Sequence, residues 1–459
     1  MGLLVNCNLY FLIVPLFLLI LIIPFLSIVL WLFSELMLGD LQILGANPRT
    51  YIVFFMVAFL LLRNFLEGRS IRNYLLEFIG LIFFLLLLNI LLINVINNNA
   101  VGEYLRFIIT LTSNIFTVLL ISFVVRDIEC HKKAFVLLFI FISINAVIGI
   151  LQFFNVGQVY LMREHLHKVQ IIGQQGRVIG LSRDVIEFGY TLQLGLMLAL
   201  GFINTRFPAS HKNSLRIFCI CILFILGVAM VLNGTRSVIG GVLLSVFFYA
   251  LFGQKLSKEK LFSRRYIVKA VLFIVCVVAI SKFILNISTG SNELIDRLFS
   301  LKDPSALGRS PRFMLALDIF KQNLFGVGST VNYARKAMIH WGSIGPNIGL
   351  GLNSFSVHNH FLRAFVFYGF IGGILFLVFF LRILVACIKM WSIQGDYYLK
   401  GFFLGSCLFL VAYAVNIFFH NYGPLSGDNL FWFWLGLMVA AINIDREKND
   451  QIYSQQRRY

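Results

Sequence analysis

The chain has 459 residues, 59% of them hydrophobic and 15% aromatic, and only 13% charged. A water-soluble domain of this length is near half apolar and about a quarter charged, so a soluble globular protein is excluded. The formal net charge of +18 would suggest nucleic acid in a soluble chain; in a membrane protein it first asks which loops hold the Lys and Arg.

Apolar runs of about 20 residues, the length that crosses a bilayer as a helix, recur at 9–33, 50–66, 74–96, 104–125, 134–154, 186–204, 216–232, 237–253, 266–285, 358–386, 400–419 and 429–444. They predict an all-α, polytopic integral membrane protein with about 12 transmembrane helices. The first run, Leu9 to Phe33, lacks a basic flank and a small-residue cleavage site, so it reads as a retained span that Pro15 and Pro24 kink. One set of short segments, together with the C-terminal tail, carries 21 Lys and Arg; the other set (34–49, 97–103, 233–236, 420–428) carries 2, Arg49 and Arg236. The positive-inside rule makes the first set cytoplasmic and puts both termini on that side. Two long loops, 155–185 and 286–357, fall on the outer, periplasmic face. Both are basic, through Arg163, Lys168, Arg177 and Arg183 in the first and Arg297, Lys302, Arg309, Arg312, Lys321, Arg335 and Lys336 in the second. Long loops escape the rule, so an anionic ligand at the outer face competes with an ordinary solvated surface as the explanation.

No period of 20–50 residues repeats, and apart from the apolar bias the one low-complexity stretch is the Asn97-Asn98-Asn99 turn. Residues 1–459 therefore read as a single membrane domain. The seven cysteines (Cys7, Cys130, Cys219, Cys221, Cys276, Cys387, Cys407) avoid the long loops. They form neither a disulfide framework nor a metal-ligand spacing.

The most polar long interval runs from Gly308 to Gly373. Ser310 suits an N-cap and Pro311 the first helical turn. Phe313, Leu317, Phe320 and Leu324 then recur at helical spacing, and Gly326 and Gly328 close the segment, predicting an amphipathic helix against the membrane or the bundle. Its N-terminus offers free N–H groups, and Arg309 and Arg312 flank it, a combination that suits phosphate. The alternative is an Arg312 whose stem packs and whose head faces water. Arg236 sits at a tight outer turn in LNGTRSVIGG; a charge there faces a cavity or partner, or snorkels to the interface. His358 precedes an apolar span and is either a general base or a hydrogen-bonded histidine at a helix start. His360 suggests a metal pair, but no Asp, Glu or Cys nearby completes a site. Arg183, Asp184 and Glu187 are able to pair among themselves. Asp296, Asp303 and Asp428 are outer-face acids that nothing ranks.

Three pieces in this order resemble the O-antigen ligase and O-antigen polymerase superfamily of bacterial inner-membrane glycosyltransferases. His358-Asn359 is followed by nine residues, Gly369, two residues and Gly372; upstream stand GRSPRF…LFGVG and the turn Gly234-Thr235-Arg236-Ser237. The resemblance spans about 155–385, with 177–385 as the ligase-like core. It implies a GT-C-like membrane fold whose large periplasmic loop carries short helices, and an inner-membrane location. It also implies a glycosyltransferase that moves a glycan from undecaprenyl diphosphate to an acceptor sugar on another repeat unit or on lipid A core. In that scheme His358 is catalytic. Arg236 and Arg312, with Arg309 or Arg177, bind the diphosphate, and Asn359, Gly369 and Gly372 support the motif. No metal, cofactor or nucleotide is implied. Ser182-Arg183-Asp184 departs from the family's Pro-Asn-type turn. The competing reading is a polysaccharide flippase or transporter, which would set its charges at the bilayer midplane in two similar halves; here they gather in outer loops.

Overall fold

The computed structural model describes residues 24–37, 48–66, 74–99, 101–154, 156, 178–205, 212–257, 309–342 and 356–456. Among these residues the chain is helical and has no strand. In chain order the helices are α1 (Phe25–Met37), α2 (Pro48–Leu66), α3 (Tyr74–Ile96), α4 (Val101–Val124), α5 (Ile128–Phe153), α6 (Val185–Ile203), α7 (Lys212–Asn233), α8 (Arg236–Ser257), α9 (Arg309–Gln322), α10 (Thr330–Gly342), α11 (His360–Ile393), α12 (Tyr397–Phe419) and α13 (Asn429–Gln456). Six of them are long and apolar enough to cross a membrane, namely α3, α4, α5, α6, α11 and α12. α1, α2, α7 and α8 carry shorter apolar stretches. The expected span 266–285, the first part of 9–33, most of the loop 155–185 and residues Asp296 and Asp303 lie outside the described residues.

The chain divides into two compact units: 1–76, 110–141 and 429–459 form one, and 77–109 with 142–428 the other. In the first, α13 is apolar all round from Leu430 to Ile442 and is buried over that stretch, with Trp432, Phe433 and Trp434 fully enclosed. Trp31 of α1 stacks on Phe433 at 5.0 Å. Glu35 pairs with Arg49, and Asn429 Nδ2 donates to Glu35 Oε1 at 2.8 Å. The charge at Arg49 is therefore answered within the unit.

The second unit is built on α6, α8 and α12. Lipid offers no hydrophobic drive for helix association, so close backbone approach and buried polar bonds carry it. Gly201 and Gly405 let α6 and α12 touch along their backbones; a Cβ on Gly405 would stand 2.7 Å from Leu198 Cα. Asn416 donates to Gln193, and Ser245 Oγ donates to the Leu408 carbonyl at 2.9 Å. Such bonds contribute about 0.6–2 kcal/mol each within a membrane.

Two expectations need correction. The span expected over 358–386 is not one rod. α11 runs to Ile393 and is interrupted at Gly369, whose φ of 69° and ψ of −175° are not helical. Its 34 residues would reach about 51 Å at ~1.5 Å per residue, whereas the part after the break reaches about 36 Å, close to a tilted span. α9 starts at Arg309, which places Ser310 inside the helix rather than at its cap. Of the predicted stripe, Phe320 meets Phe365 of α11 edge-on at 5.7 Å. Leu315, Ala316 and Ile319 are buried, while Phe313 and Leu324 are exposed. The helix thus has apolar residues on two sides, one buried through Leu315, Ala316 and Ile319 and one exposed at Phe313 and Leu324.

Candidate functional site: a guanidinium–imidazole pair at a broken helix

Asn359 caps α11 by accepting from Leu362 N–H at 2.8 Å, which fixes His358 just outside the helix. Arg312, in the first turn of α9, donates from Nη1 to His358 Nε2 at 2.7 Å. Ser356 Oγ lies 3.0 Å from the same nitrogen. A guanidinium has only donors, so this contact requires a lone pair on Nε2. The imidazole is held with its basic nitrogen toward the cation. Two residues 46 apart in sequence thus form one polar centre, beside the half-buried hydroxyl of Ser356.

The glycines explain how they meet. The break at Gly369 frees carbonyls from the α11 ladder, and the loop after α9 takes them up. Val327 N–H donates to Val366 O and Gly328 N–H to Phe367 O, each at 2.9 Å; Phe370 N–H donates back to Leu324 O at 2.9 Å. Two backbones run in direct contact here, so neither tolerates a Cβ. One on Gly326 would meet the Phe367 carbonyl, and one on Gly369 would lie 2.9 Å from Leu324 O. The Gly-x-Gly at 326–328 and the glycine eleven residues after His358 are therefore two halves of a single joint. Gly372 sits against Tyr368 and Asn89, where a Cβ would come within 2.9 Å of Asn89 Nδ2.

Arg236 opens α8, after the expected turn at Gly234, and is half-buried. It is tied to the histidine's helix indirectly. Its neighbour Ser237 shares a 2.7 Å hydrogen bond with His420 Nε2. The next residue, Asn421, gives its carbonyl to Arg363 Nη1 at 2.8 Å and to His360 Nδ1 at 3.3 Å. Leu425 N–H donates to His360 Nε2 at 3.3 Å. His360 thus spends both ring nitrogens on the loop 420–428, which joins the first turn of α11 to the turn bearing Arg236.

That loop has its own anchor. Arg183 binds Glu187 (Nη2 to Oε1, 2.7 Å) and also donates to the Gly427 carbonyl at 3.0 Å, while Tyr422 donates to Glu187 at 2.9 Å. The pairing expected among Arg183, Asp184 and Glu187 is Arg183 with Glu187; Asp184 instead caps α6, accepting from Ile186 and Glu187 N–H at 2.8 Å. The Glu187 carboxylate raises Arg183 above the ordinary arginine range, so it stays charged. Burial, with Glu187 adding, raises the Tyr422 phenol well above its usual value, so it stays a donor. Asp428 accepts from Tyr413 at 2.6 Å. The sequence reading passed over His420, Asn421, Tyr422 and Arg363. Arg177 and the side chain of Arg309 lie outside the described residues, but Val178 to Ser182, just after Arg177, are held by Asn145, Gln152 and Asn233.

Residues 221–377 match the family of O-antigen ligases. The stretch includes Arg236, Arg309, Arg312, His358, Asn359, Gly369 and Gly372, so the resemblance read from the motifs is shown where the pair and its joint lie. It supports a role in glycan transfer within polysaccharide biosynthesis, with lipid-linked glycan and acceptor substrates in the membrane. No curated protein matches the chain.

Proposed function

We propose that this chain transfers a glycan from undecaprenyl diphosphate to an acceptor sugar at the periplasmic face of the inner membrane. It would act as O-antigen ligase or as polymerase of a surface polysaccharide, with twelve spans and both termini cytoplasmic. The observation that carries the reading is the 2.7 Å contact between Arg312 and His358 inside the matched segment. A cation made for phosphate stands against a nitrogen made for a proton, which are the two groups this displacement needs.

In the resting state Arg312 covers the lone pair of Nε2. The donor diphosphate competes for the guanidinium, since Arg binds phosphate bidentately. Moving Arg312 onto the diphosphate uncovers Nε2 for the acceptor hydroxyl. The hydroxyl proton passes to His358, the oxygen bonds to the anomeric carbon, and the bond from that carbon to the diphosphate oxygen breaks. The charge released onto undecaprenyl diphosphate is met by Arg312 and Arg236, with Arg309 and Arg177 as further donors. Guanidiniums then supply the neutralisation that a divalent ion supplies elsewhere, and the reaction is metal-independent.

The glycan profile of a deletion strain tests this. Loss of all attached polymer with accumulation of lipid-linked polymer identifies a ligase. Single repeat units on the core identify a polymerase. An unchanged profile contradicts transfer.

A further inference from the structure

We propose that Asn89, Asn97 and Asn99 are positioning residues for the Arg312–His358 pair. The proposal deepens the transfer reading and rests on it. The three asparagines belong to α3 and the turn after it, far upstream of the matched segment, and a carboxamide on so apolar a helix is costly unless it is used. All three are used at the joint. Asn89 Nδ2 donates to the Tyr368 carbonyl at 2.7 Å, one residue before the break. Asn97 Nδ2 donates to the Gly326 carbonyl at 3.1 Å and to Ile93 O at 2.8 Å. Asn99 Nδ2 donates to the Val327 carbonyl at 3.2 Å and to Asn94 Oδ1 at 2.8 Å. One element thus grips both backbones of the joint, the 326–327 side through two asparagines and the 368 side through one.

The joint lies at one end of two levers, and the pair lies at the other. From Arg312 to the joint, and from His358 to the joint, each arm is about 15–18 Å at ~1.5 Å per residue. A swing of roughly 10° at the joint displaces the far ends by about 3 Å, as much as the contact between Arg312 and His358 itself. Misplacement of about 1 Å is enough to cost on the order of a hundredfold in rate. Loss of the clamp therefore lowers turnover and, because Arg312 itself meets the diphosphate, loosens donor binding, while acceptor affinity is left unchanged.

Asn89→Asp keeps the shape and removes the N–H. Purified protein carrying it is expected to lose at least tenfold in kcat, with KM for the acceptor within twofold and the helical fold retained. Asn89→Gln, which keeps a donor, retains most of the rate. Asn97→Ala, at a half-buried position, adds no charge and carries the same expectation should Asn89→Asp not fold. A second arm needs no turnover. Spin labels at Met314→Cys on α9 and Leu381→Cys on α11, both exposed, are placed in a background without the seven native cysteines. They should give a narrow distance distribution that broadens with Asn89→Asp or Asn97→Ala. Unchanged kcat, a loss confined to KM, or an unbroadened distribution overturns the clamp. A wild-type protein inert in transfer refutes the transfer reading instead, whatever the labels report.

Discussion

Replacing Gly369 by alanine is the sharpest perturbation of the joint. Its φ of 69° with ψ of −175° falls in a region essentially reserved for glycine, where another residue costs about 1–3 kcal/mol. The new Cβ would stand 2.9 Å from Leu324 O and closer still to the Phe325 carbonyl, so the loop must back away. That endangers three backbone bonds of 2.9 Å, about 1 kcal/mol each. The sum is about 4–6 kcal/mol. Relaxation that recovers half of it still leaves about 2–3 kcal/mol, or an equilibrium constant for making the joint lower by roughly 30–150-fold. The assay is transfer from lipid-linked glycan by protein in nanodiscs, normalised to folded protein. Gly240→Ala serves as control, because nothing lies within 4 Å of its Cβ position. A Gly369→Ala protein that keeps more than a third of wild-type activity would refute the reasoning.

Arg312→Lys keeps the charge but replaces a fork with a point, so transfer should fall about 10–100-fold; initial rates at saturating donor decide it. Glu187→Gln leaves Arg183, whose side chain is 30% exposed, without its anion. After discounting for that exposure the loss is about 1–3 kcal/mol, visible as a melting point several degrees lower. Transfer should survive EDTA; loss on chelation and recovery with a divalent ion would overturn the metal-free scheme.

Local signals were legible in the sequence where they had local causes. The helices followed apolar runs, the turn at Gly234 followed its residues, and α9 followed Pro311 and its spaced apolar positions. The His358 motif was legible as a pattern, but its physical meaning was not. Gly369 is required by a hydrogen-bond exchange with residues more than 40 positions away, and no local window contains both partners. The same applies to Asn97 and Asn99, which read as a turn and act as donors to residues near 326. The loop 420–428 read as a short outer connection because it holds no Lys or Arg. Its work is done through main-chain carbonyls and through His420, whose partner Ser237 belongs to another helix. The stripe on α9 was legible, but not the second packed face at Leu315, Ala316 and Ile319, because hydropathy counts apolar residues without knowing which of two apolar faces meets protein.

The central claim is that His358 takes the acceptor proton while Arg312 takes the diphosphate. Its most direct test is single-turnover transfer by purified His358→Ala protein, alongside donor binding measured on the same sample. The account predicts a rate lower by about 10²–10⁴-fold, the usual share of a general base, with donor binding retained. Transfer at the wild-type rate would contradict it.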